Sequence, residues 1–172
     1  LPELREALVD KTERDSKWRP ETAQILITNG GKHAVYNSCA VLIDPGDEVL
    51  LPAPYWTTYP EAIALAGGTT VEVPTSIDSE FKVTVEQLEA ATTSSTKALF
   101  FVSPSNPTGA VYSAEEMVAI GRWAIEKGIW IITDEIYEHL TYDDHEHHSI
   151  IALLPEIVVQ CLIVNGVAKT YA

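Results

Sequence analysis

The sequence predicts an α/β fold of three layers, αβα, in which a mostly parallel sheet lies between two layers of helices. Three observations predict it. Short β-rich apolar runs recur at 25–28, 48–52, 69–73, 97–102, 129–133 and 161–164. Helical patterns fill most of the gaps between them. The runs are apolar nearly throughout instead of alternating, which is the pattern of strands covered on both faces.

The elements follow in order. Leu4, Leu8 and Lys11 mark an opening amphipathic helix. The run at 25–28 reads as a strand that leads through Asn29-Gly30-Gly31-Lys32 into a second helix, where Val35, Cys39 and Leu42 share a face. The turn residues Asp44-Pro-Gly-Asp47 end that helix before the strand at 48–52. Thr84-Val-Glu-Gln87 and Ser113-Ala-Glu-Glu116 are capping-box patterns, each opening a helix. Behind the second, Met117, Ile120 and Ala124 keep helical spacing until Gly128 stops the helix. Strands at 129–133 and 161–164 complete the alternation.

The 172 residues are one domain's worth of chain, long enough to bury a core, and a hydrophobic content of 46% reads as globular. No apolar run approaches the roughly 20 residues that span a bilayer. A net charge of −14 opposes binding to nucleic acid or to anionic membranes. The two cysteines, Cys39 and Cys161, sit far apart in apolar surroundings and read as free buried thiols. With an opening stretch, LPELREALVDK, that has no signal-peptide pattern, they point to a cytoplasmic setting.

In parallel α/β sheets, ligands collect beyond the carboxyl ends of the strands, so the residues just after each run carry the functional reading. After 25–28, Gly30 and Gly31 let backbone N–H groups approach an anion at a helix N-terminus. After 48–52, Tyr55, Trp56 and Tyr59 offer a stacking wall for a flat ligand. After 97–102, Asn106 stands in the stiff stretch SPSNPTG and can aim its amide at a fixed atom. The run at 129–133 delivers Asp134, a carboxylate at the mouth of an apolar strand that needs a cation, a metal or several donors. Tyr137 could present a phenol to the same place. The last run delivers Lys169, whose amine, if desolvated, is a nucleophile for carbonyls and forms Schiff bases. Singly, each is equally compatible with a turn, core packing, a helix cap or a surface lysine. Together they describe an anion cradle, an aromatic plate, an amide, an acid, a phenol and an amine on one sheet edge. Pyridoxal phosphate needs all six.

The motifs SPSNPTG, ITDEIYEHL and NGVAKTYA, with DPGDEV and APYWTTYP, resemble those of the class I/II aminotransferases, the pyridoxal-phosphate enzymes of fold type I. The similarity runs through the whole chain and is nearest to the bacterial aspartate aminotransferase subgroup. It implies transamination between an amino acid, aspartate in the first instance, and a 2-oxo acid such as 2-oxoglutarate. It implies that Lys169 is the Schiff-base lysine and proton carrier, and that Asp134 pairs with the pyridine nitrogen. Asn106 and Tyr137 would bond the ring oxygen, Trp56 would stack on the ring, and Gly31 and Lys32 would offer N–H groups to the phosphate. Lys32, Trp56 and Asn106 would also line the substrate, with Lys32 able to meet the side-chain carboxylate of an acidic one. Pro54 and Pro107 fall where the family carries cis peptides. Many relatives have serine where this chain has Gly166 and Ala168. The resemblance further implies that residues 1–172 are an incomplete cofactor-binding large domain of a longer, homodimeric enzyme. Arginines for phosphate and substrate, an N-terminal segment and a small C-terminal domain would lie outside the chain. The fragment alone is expected to be inactive.

Other readings stay open at this stage. An alanine, aromatic or prephenate specificity uses the same scaffold. A non-catalytic pyridoxal-phosphate-sensing domain of a transcription regulator would keep the lysine. The stretch YDDHEHHS, residues 142–149, holds three histidines and several acids, but the spacing fits no fixed ligand pattern. It reads as a solvated loop, and no metal is expected.

Overall fold

The computed structural model describes residues 1–171; Ala172, the last residue of the NGVAKTYA motif, lies outside them. Five strands form a single sheet: β1 (Glu48–Ala53), β2 (Thr69–Pro74), β3 (Thr96–Val102), β4 (Trp130–Asp134) and β5 (Cys161–Val164). Their order is β2-β1-β3-β4-β5 and every pairing is parallel. Five of the six sequence runs are therefore strands, with ends shifted by at most one residue. The helices are α1 (Pro2–Ser16), α2 (Gly30–Leu42), α3 (Thr58–Leu65), α4 (Val85–Ala91), α5 (Ala114–Lys127) and α6 (Ile150–Leu153).

The sixth run, 25–28, is not a strand. It follows a short 3-10 turn (Thr22–Gln24) as extended chain with no sheet partner, and Leu26 and Ile27 are exposed. An apolar run becomes a strand only where a neighbour takes its backbone groups, and no strand lies beside this one among the described residues.

Successive strand residues point to opposite faces, and each face has its own core. On one, Leu50, Leu99, Phe101 and Ile131 pack with Leu88 of α4, Met117, Ile120 and Trp123 of α5 and Ile150 of α6. On the other, Val49, Leu51, Ala98, Phe100 and Ile132 pack with Val35 and Cys39 of α2 and Tyr59 and Ile63 of α3. This is the three-layer αβα arrangement. Both thiols are free and buried, and burial pushes the Cys39 thiol up to about 12.

The local signals hold. Thr84 and Ser113 each accept the N3 backbone N–H while Gln87 and Glu116 return the bond, closing both capping boxes. Gly128 ends α5 at φ 68°, a left-handed conformation that glycine adopts without steric cost. Among the described residues no helix is long and apolar enough to cross a membrane.

Candidate active site

The strand order reverses direction between β1 and β3. That switch point opens a crevice at the carboxyl edge of the sheet, flanked by the loops that leave β1, β3 and β4. Asp134 ends β4, in register with Val102 of β3 on one side and Val164 of β5 on the other. Its carboxylate is 4% exposed, so its charge depends on local donors. Two are in place: the Tyr59 hydroxyl donates to Oδ2 at 2.8 Å, and the Ile136 backbone N–H donates to Oδ1 at 3.1 Å. Burial raises the Asp134 carboxyl above the usual range. The Ile136 N–H and the Tyr59 hydroxyl pull it back down, and the neighbouring Glu135 charge adds to the rise.

Tyr59, expected in the aromatic wall, is the partner of Asp134. Tyr137 was expected to present a phenol to the same place as Asp134; the phenol that touches Asp134 itself comes from α3. The Tyr59 ring stacks on Phe100 of β3, centroids 4.7 Å apart with the planes inclined by 29°, and so reaches across the sheet to β4. Trp56 meets its edge at 5.5 Å and 89°. Burial, with the Asp134 charge beside it, holds the Tyr59 hydroxyl well above its ordinary range, so it remains a donor. The available sequence signal was that a buried tyrosine needs a partner for its hydroxyl.

Tyr137 is half-buried and faces Lys169 instead, whose Nζ stands 5.7 Å from the ring centroid. Lys169 was expected at a partly apolar strand end. It lies in a turn five residues beyond the end of β5 and is exposed, because β5 stops at Val164.

Lys32 is exposed in the first turn of α2, and its ammonium stands 5.6 Å from the half-buried Trp56 ring. Gly30, at φ 76°, makes the entry to α2, and no side chain caps its first turn. The N–H groups of that turn and the positive end of the helix dipole therefore favour an anion. Ile136 packs beneath two glycines: a Cβ at Gly31 would lie 3.6 Å from its Cδ1, and one at Gly166 only 3.3 Å. The two glycines thus draw the start of α2 and the turn after β5 against the residue that follows the Asp134 strand end.

Asn106 is half-buried and lines, with Tyr55, Tyr59 and Phe100, a cavity between the ends of β1 and β3. Its loop is closed by Ser105 N–H donating to Ala110 O at 2.9 Å and Gly109 N–H donating to Ser105 O at 2.8 Å. The Ala53-Pro54 and Asn106-Pro107 bonds are cis as the resemblance implied, and Ser103-Pro104 is cis as well.

The carboxyl edge of this parallel αβα sheet holds a buried acid, stacked aromatics, an amide and an anion-ready helix start, the residue types of a transferase site. The family model for aminotransferase class I and II matches residues 1–172, and the chain belongs to that family. It is 59% identical over its full length to an aspartate aminotransferase of Streptomyces avermitilis, covering 42% of that protein. It is 44% identical to an aspartate/prephenate aminotransferase of Thermus thermophilus, covering 44% of that protein. Among solved structures, the Thermus thermophilus aspartate aminotransferase with maleate superposes with a TM-score of 0.94 at 44% identity, over 100% of this chain and 44% of that one. An aromatic aminotransferase from Pyrococcus horikoshii gives 0.96 at 37% identity, over 99% of this chain and 46% of that one. The chain spans less than half the length of each of these four proteins.

Proposed function

We propose that this chain is the coenzyme-binding part of the large domain of a pyridoxal-phosphate-dependent aminotransferase. Its substrates are an amino acid, aspartate first, and a 2-oxo acid such as 2-oxoglutarate. The observation that carries the reading is Asp134: a carboxylate buried at the end of a central strand, held by Tyr59 and Ile136, beside an aromatic face and an uncapped helix start. That donor set fits pyridoxal phosphate, since a phosphate suits the first turn of α2, a flat ring suits Trp56, and a protonated ring nitrogen suits Asp134.

When bound, the coenzyme supplies an electron sink for carbanion chemistry at the amino-acid α-carbon. The chain supplies the rest. Asp134 holds the proton on the ring nitrogen. Tyr59 and Ile136 fix the carboxylate so that its charge stays aimed at that nitrogen. Asn106 and Tyr137 orient the ring oxygen. Lys169, exposed on its turn, would hold the coenzyme through its amine and would carry the α-proton as a free amine. Lys32, with its ammonium over the Trp56 ring, would meet the distal carboxylate of a dicarboxylic substrate. The full-length protein acts as a homodimer in the cytoplasm.

Support for aspartate comes from the relatives that carry that name and from the position of Lys32. The test is turnover of aspartate with 2-oxoglutarate by the intact protein. Lys169→Ala removes the proton carrier and lowers kcat by at least about 10²–10⁴-fold. Unchanged turnover in that variant refutes the assignment. Preference for prephenate or an aromatic donor over aspartate refutes the specificity alone.

A further inference from the structure

The turn after β4 carries two more acids, Glu135 and Glu138, that the coenzyme reading does not use. Glu135 is 1% exposed and Glu138 7%. The stretch 142–149, expected to be solvated, folds one of its histidines onto them: the His147 side chain is only 10% exposed. One ligand atom from each of Glu135, Glu138 and His147 lies within 4.8 Å of the other two.

The polar atoms of this cluster are not paired with one another. Glu135 Oε2, Glu138 Oε2 and both ring nitrogens of His147 are buried without a hydrogen-bond partner. An imidazole has at least one N–H to donate, and a carboxylate oxygen has lone pairs to fill, so four bare atoms together call for a shared partner. His147 Nε2 stands 3.7 Å from Glu135 Oε2, beyond hydrogen-bond reach. Tetrahedral ligands held about 2.1 Å from one ion are about 3.4 Å apart, so that separation is close to one edge of a zinc-type polyhedron.

The other half of each carboxylate is already fixed. Glu135 Oε1 accepts from Ser149 Oγ at 3.0 Å and lies 3.5 Å from Thr133 Oγ1. Glu138 Oε1 accepts from Asn165 Nδ2 at 2.9 Å and from the Lys11 ammonium. Such outer contacts are what hold metal-ligating carboxylates in position. A second group of Asp15, Glu138 and His139 lies nearby, but Lys11 sits between its acids and serves as their cation.

We propose that Glu135, Glu138 and His147 form a site for one divalent cation of the zinc class, with three protein ligands and a fourth position for water. The ion would pin the 142–149 loop to the turn that follows Asp134. This site is independent of the coenzyme and of the activity proposed above.

The test uses the intact protein, without a histidine tag or added coenzyme, stripped with chelator and titrated with Zn²⁺ and separately with Co²⁺. The expected result is about one Zn²⁺ retained per chain after desalting, and Co²⁺ absorption bands of a low-coordinate N,O site. His147→Gln abolishes both. Ser149→Ala, which removes only a hydroxyl from a ligating carboxylate, weakens Zn²⁺ binding roughly 10–100-fold and guards against a folding defect in the first variant. Absence of retained metal in protein with a native circular dichroism spectrum overturns the proposal. So does equal retention in the wild type and both variants.

Discussion

Replacing Tyr59 with phenylalanine tests the Asp134 environment without disturbing its packing. The ring still fills its place on Phe100, and only the hydroxyl at 2.8 Å from the carboxylate is lost. A hydrogen bond to a charged group is worth about 1.5–3 kcal/mol, and one between neutral groups about 0.5–1.5 kcal/mol. The cost of the substitution therefore depends on whether Asp134 is ionised. Its native carboxyl is raised above the ordinary value of 3.8. The stability tied to this proton is accordingly present in full below the unfolded value and is lost as pH rises through the raised native one. Removing the Tyr59 donor raises the native value further, so the variant's deficit must widen with pH. The difference between the two hydrogen-bond classes, about 1 kcal/mol, corresponds to a further upward shift of about one pH unit. Urea unfolding of wild type and Tyr59→Phe between about pH 4 and about pH 8 reads this directly. A deficit that is flat with pH, or that narrows as pH rises, refutes the claim that Tyr59 serves the ionised carboxylate.

Further outcomes follow from the packing. Gly121→Ala places a Cβ 2.8 Å from Leu154 Cδ2 and 3.2 Å from Ile150 Cδ1; overpacking of about 1–3 kcal/mol outweighs the helix-propensity gain, and a lowered midpoint in chemical denaturation checks it. Tyr112→Phe leaves the buried Val83 N–H without its 2.8 Å acceptor and costs about 1–3 kcal/mol in the same assay. Phe100→Ala empties a fully buried site at a cost of about 3–5 kcal/mol; because the Tyr59 ring rests on Phe100, the variant also makes Tyr59 hydrogen exchange and ring mobility rise in NMR spectra.

The sheet was legible because its strands are buried on both faces, so apolar runs such as 97–102 and 129–133 needed no alternation to be read. The capping boxes at Thr84 and Ser113 were legible because their bonds are local. The run at 25–28 misled for the same reason that the others succeeded. Its composition is strand-like, but pairing is a non-local property, and β5, not this run, occupies the sheet edge beyond β4. The site divides likewise. Asp134, Asn106 and Trp56 lie at strand ends, where the topology alone brings them to one edge. The Asp134–Tyr59 contact was not legible because sequence proximity pointed to Tyr137, three residues from Asp134, whereas the contact is made from α3 across the width of β3. His147 was hidden by its neighbours: nothing in YDDHEHHS distinguishes the histidine that turns inward, and its partners stand at 135 and 138.

The proposed function requires Lys169 and Asp134 to hold one coenzyme at the carboxyl edge of this sheet. The measurement that bears on it most directly is borohydride reduction of the full-length protein loaded with pyridoxal phosphate, followed by peptide mass spectrometry. The expected result is the coenzyme mass on the peptide bearing Lys169, with occupancy reduced in Asp134→Ala and no labelled peptide in Lys169→Ala. Label on Lys32 or another lysine with Lys169 unmodified, or labelling that persists in Lys169→Ala, contradicts it.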